Sequence, residues 1–165
     1  MVAGRCLPVL VVLAVPIDPL SSFAAERRSA YSSATFASVA PPAKGESLTF
    51  QQLVAASGSE ETRAALADRE GEEVELVGLV TEPERSGFLL TRFVVACCVV
   101  DATVAQVQMR PRDAASLEEL EELEENAWVR VTGRLALDDE GLPRLDDARV
   151  EPTERPDPPY LYPGG

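Results

Sequence analysis

The sequence predicts a mainly β domain: a five-stranded barrel with a short helix between strands 3 and 4, preceded by a helical segment and an N-terminal apolar segment. Three observations predict it. From Val74 onward, five stretches either alternate apolar with polar residues or run apolar and β-branched. Gly, Pro and Asp punctuate them. The one helical pattern among them falls between the third stretch and the fourth.

Before the strands, Ser47 to Arg69 reads as a helix in two pieces. Ser47 or Thr49 can cap Phe50-Gln51-Gln52-Leu53-Val54, Gly58 interrupts the pattern, and Glu60 to Ala67 resumes it. Phe50, Leu53, Val54 and Leu66 give it one packed face. In the first strand, Val74, Leu76 and Val80 alternate with Glu73 and Glu75 up to Glu82-Pro83, and Gly78 marks a bulge or a close backbone approach.

Gly87 to Val100 is the most apolar part of the chain. Phe88, Leu90, Phe93, Val94, Val95, Val99 and Val100 favour one long strand, apolar on both faces and inside the fold. Thr103 to Arg110 alternates, with Ala105, Val107 and Met109 on one face and Gln106, Gln108 and Arg110 on the other.

Ser116 with Glu119 forms a capping box, and Leu117, Leu120 and Leu123 line one side of a helix whose glutamates form a solvated face. Ala127 to Leu137 returns to strand: Val129, Val131, Leu135 and Leu137 face inward, while Trp128 starts on the outer register. Asp138-Asp139-Glu140-Gly141 turns the chain, and Leu142 to Val150 is the fifth strand. Pro152, Pro156, Pro158 and Pro159 stop regular structure. This order of elements is that of an OB-fold, and it predicts architecture without predicting function.

Three segments result: 1–25, apolar; 26–46, a flexible linker rich in Ser, Ala and Pro; and 47–163, the OB-like domain with its leading helix. Two readings fit the first. Arg5, the apolar run Leu7 to Ile17 and the small residues near Phe23-Ala24-Ala25 suit a signal peptide. The same run suits the remnant of a membrane anchor, since about 20 apolar residues are needed to span and Pro8 and Pro16 bracket it.

Composition narrows the function. Fifteen Lys plus Arg against 28 Asp plus Glu leave a net charge of -13, which repels phosphate backbones, so no nucleic-acid partner is expected. The absence of His removes Ser-His-Asp, Cys-His and HExxH chemistry, and no enzymatic activity is expected. Three cysteines, Cys6 and the adjacent Cys97 and Cys98, do not make a disulfide framework.

Cys97, Cys98 and Asp101 form the sharpest chemical feature, a candidate site for a soft metal ion. Three donors fall short of a closed tetrahedral shell, and neighbours in a regular strand point to opposite faces unless the strand bends. As small hydrophobes the two cysteines also suit a core. Asp138, Asp139, Asp146 and Asp147 lack the spacing of a calcium loop and read as a solvated hairpin. Trp128 and the C-terminal tyrosines read as packing residues rather than as a stacking platform.

The stretch Arg92-Phe93-Val94-Val95-Ala96-Cys97-Cys98-Val99-Val100-Asp101-Ala102 resembles the YcgQ-type family of two-component permease subunits. Val74 to Val80 resembles that family's first barrel strand. Trp128-Val129-Arg130-Val131-Thr132-Gly133 resembles its fourth, and Pro159-Tyr160-Leu161-Tyr162-Pro163 its C-terminal ending.

The resemblance implies a membrane protein with N-terminal transmembrane helices, the OB-like domain after them, and a separate polytopic permease as partner. Leu7 to Arg28 resembles only the end of such a helix. In-frame coding sequence for about 20 or more apolar residues upstream is therefore expected.

The expected function is that of a non-enzymatic accessory subunit whose barrel binds the permease or a ligand. It would sit at the cell membrane with the barrel extracytoplasmic, or be secreted if a signal peptide is cleaved. The alternative is a tethered or secreted metal-binding or thiol-redox module using Cys97 and Cys98.

Overall fold

The structure, a computed structural model, describes residues 36, 38–84, 86–98, 102–113 and 127–162. Two short helices precede the strands. Helix α1 (Phe50–Ala55) starts in a capping box: Thr49 Oγ1 accepts from the Gln52 amide at 3.2 Å, and Gln52 Oε1 accepts from the Thr49 amide at 3.0 Å. Helix α2 (Glu60–Ala67) is capped by Ser59, whose Oγ accepts from the Thr62 amide at 3.2 Å. Glu60 and Glu61 in its first turn suit the positive end of the helix dipole.

The strands are β1 (Glu73–Glu84), β2 (Gly87–Val94), β3 (Thr103–Pro111), β4 (Trp128–Leu137) and β5 (Pro143–Pro152). They close into a barrel in the order β1-β2-β3-β5-β4, with β3 and β5 parallel and the other pairs antiparallel. Closure depends on β1, which pairs with β4 from Glu73 to Leu79 and with β2 from Leu79 to Glu84. The mainly β, OB-like barrel read from the sequence is the observed fold.

Gly78 sits where β1 changes partner. A Cβ there would lie 2.8 Å from the Thr91 carbonyl oxygen and 2.9 Å from Leu90 Cγ, so the residue marks a close backbone approach. The bulge in β1 comes later, between Thr81 and Glu84, where Glu82 has a φ of 48°.

The barrel interior is filled by Leu76, Leu90, Val107, Met109, Val131 and Leu145, all buried. Phe50, Leu53 and Val54 of α1 and Leu66 of α2 join the same core, as their spacing predicts. Phe36, 1% exposed, belongs to it too, and Val39 packs against it. Arg69 donates to the carbonyls of Ala43 and Glu46. Within the segment expected to be a flexible linker, Phe36 and Val39 thus pack on the domain, and the carbonyls of Ala43 and Glu46 are held by Arg69.

A second cluster, Leu79, Phe93, Val95, Ala102 and Val104, has Trp128 and Tyr160 packed against it. The C-terminal segment reaches it: the Val95 amide donates to Leu161 O at 2.9 Å and the Leu161 amide to Phe93 O at 2.8 Å. These bonds make a parallel bridge between Val94 and Leu161.

The expectation of one long strand from Gly87 to Val100 is corrected, since β2 ends at Val94 and the chain bends through Ala96, Cys97 and Cys98. The physical reason is this bridge, which binds the Val95 amide to the C-terminal segment while the next residues turn away.

The helix expected between Ser116 and Leu123, and segment 1–25, lie outside the described residues. Among the described residues no helix is long and apolar enough to cross a membrane.

Candidate functional site

Arg92 is the centre of one end of the barrel. It lies in the most apolar run of the chain and is 8% exposed. One guanidinium nitrogen donates to Val77 O at 3.2 Å and another to Pro158 O at 3.3 Å. The guanidinium carbon lies 5.3 Å from the centre of the Trp128 ring, within cation-π range. Nε has no partner. Burial lowers the guanidinium pKa from its ordinary value to about 10.

These contacts join the stretches singled out in the sequence. Val77 is on the first strand, Trp128 starts the fourth, and Pro158 directly precedes the Pro-Tyr-Leu-Tyr-Pro ending. Arg92 itself opens the Cys-Cys stretch, so one side chain ties four separate parts of the chain together. The sequence alone assigns Arg92 no role. The available signal was a cation set inside Gly-Phe-Leu-Leu-Thr-Arg-Phe-Val-Val-Ala.

Next to this junction, Cys97 and Cys98 are both exposed, so the reading of the pair as core residues is corrected. Their sulfurs are 3.6 Å apart, well beyond the roughly 2.05 Å of a covalent S–S bond. The bend at Ala96–Cys98 lets adjacent side chains converge, which a regular strand forbids. Asp101, the third candidate ligand, lies outside the described residues. Among the described residues no cluster of three or more Cys, Asp or Glu side chains is placed to hold a metal ion.

The acidic β4–β5 hairpin is held by its own bonds. Asp138 Oδ1 accepts from the amides of Glu140 at 2.9 Å and Leu142 at 2.8 Å, while Gly141 takes a φ of 76°. Asp146 accepts two bonds from Arg144, at 2.9 and 3.2 Å. Asp147 lies 4.0 Å from Arg134, and Arg130 is ion-paired with Glu75.

Trp128 and Tyr160 pack against the outer cluster, as expected for packing residues, whereas Tyr162 is 46% exposed. A separate cleft of about 360 Å³ lies between α1, β3 and the β4–β5 hairpin. Leu53, Leu89 and Pro143 line it with the amides of Gln106 and Gln108.

The fold and this junction define a small OB-like barrel with an adjacent, exposed thiol pair at one end and its C-terminal segment fastened beside it. Residues 30–163 match the DUF1980 C-terminal domain, and the chain belongs to that family. The match agrees with the YcgQ-like domain that the sequence resembles. A comparison with curated proteins finds no match.

Proposed function

We propose that this chain is a non-enzymatic accessory subunit of a membrane permease, the YcgQ-type role, in which the barrel presents a ligand to a polytopic partner. The observation that carries the reading is the convergence on Arg92. The stretches that resemble permease subunits meet at one end of the barrel, where two thiols face solvent. Surfaces that bind partners are built in this way, with reactive or polar loop groups on a rigid scaffold.

Attachment to the membrane through segment 1–25 and an extracytoplasmic barrel belong to the same proposal. Affinity capture of the full chain from detergent-solubilised membranes tests it. A polytopic membrane protein should co-purify in stoichiometric amount, and recovery of the chain alone from intact membranes would contradict it.

The exposure of Cys97 and Cys98 favours a second reading, a membrane-tethered or secreted metal-binding or thiol-redox module. In that case thiol chemistry persists without any membrane partner.

A further inference from the structure

We infer that Cys97 and Cys98 form an open, two-thiolate docking site for a thiophilic divalent cation of the zinc type, which the barrel carries as exchangeable cargo. The inference rests on the accessory-subunit reading for the destination of the cargo, and on the geometry of the pair for the binding itself.

The spacing fits. A tetrahedral ion holding two sulfurs at about 2.3 Å places them roughly 3.8 Å apart. The observed 3.6 Å needs a shift of only a few tenths of an ångström. The bend at Ala96–Cys98 is what makes adjacent cysteines usable as one bite.

The chain's chemistry points the same way. With no His, sulfur supplies the soft donors, and a net charge of -13 draws cations rather than anions towards the surface.

The exposure of both thiols says what the site is for. Structural zinc sites close four protein ligands around the ion, whereas sites that work on or exchange a ligand keep positions open. An ion held on an exposed pair stays within reach of water or of a donor from the receiving protein. Binding forms two sulfur–metal bonds, displaces metal-bound water, and sends each thiol proton to solvent. No electron changes hands. The anchoring of Val95 to Leu161 and of Arg92 to Pro158 gives the loop a fixed base from which to offer the ion.

The test uses the full chain in detergent with Cys6→Ser, so that only this pair titrates, reduced and then freed of reductant. Cadmium(II) serves as the spectroscopic probe and zinc(II) as the competitor. The expected result is a sulfur-to-cadmium charge-transfer band that saturates at about one ion per chain and is displaced by zinc.

The affinity should rise with pH, by up to ~100-fold per unit while both thiols are protonated. Cys97→Ser and Cys98→Ser should each abolish tight binding while keeping the far-ultraviolet circular dichroism of the parent, because both positions are exposed. Saturation at half an ion per chain, a band that survives in either variant, or no band at all would overturn the site. Each of those results leaves the co-purification with a polytopic protein to be judged independently.

Discussion

At the residue scale, Arg92 is held at an energetic cost. Burial lowers its pKa to about 10, so the folded state disfavours the charged form. Below about pH 10 that cost is present in full. It shrinks as pH rises above that value, where the unfolded chain still binds the proton and the folded chain has released it.

What Arg92 returns is geometry: two carbonyls on different segments and one aromatic face are held by a single planar group. Lysine keeps the charge but loses the fork. Arg92→Lys should therefore cost about 1–2 kcal/mol in urea unfolding and speed hydrogen exchange at the Leu161 amide. The Val131 amide, inside the barrel ladder, should keep its protection. Unchanged exchange at Leu161 would show that Arg92 does not fasten the C-terminal segment.

At the element scale, the strands were legible wherever one face is buried and the other is wet. Thr103 to Pro111 and Trp128 to Leu137 show that alternation both in sequence and in burial. The helix starts were legible because Thr49 and Ser59 are cap-forming residue types at the right offsets.

The end of β2 was not legible. Its apolar run continues past Val94 because Phe93 and Val95 serve a second cluster, and a long-range bridge to Leu161 decides where the ladder stops. Phe36 was equally hidden, an aromatic in a stretch with no period.

Gly78 tests the barrel's closure. In Gly78→Ala the new methyl would meet the Thr91 carbonyl, which cannot swing aside as a side chain can. The expected loss is about 1–3 kcal/mol in urea unfolding. A loss within a few tenths of a kcal/mol would mean that β1 and β2 do not approach so closely.

At the scale of the whole molecule, the barrel is a frame that brings distant parts of the sequence to one end. The order of the strands was readable, but the meeting of Arg92, Trp128 and Pro158 was not, because it depends on contacts between segments far apart in the chain. The candidate ligands were readable as residue types. Their usefulness depended on whether they lie in the strand or beyond it. The sequence favoured a buried strand, and the fold puts the pair on an exposed bend.

That placement is the central claim, and native thiol labelling of the Cys6→Ser chain tests it directly. Two thiols per chain should react in the folded protein as fast as in urea, because Cys97 and Cys98 are both exposed. Labelling that appears only after denaturation would return the pair to the core and contradict the account.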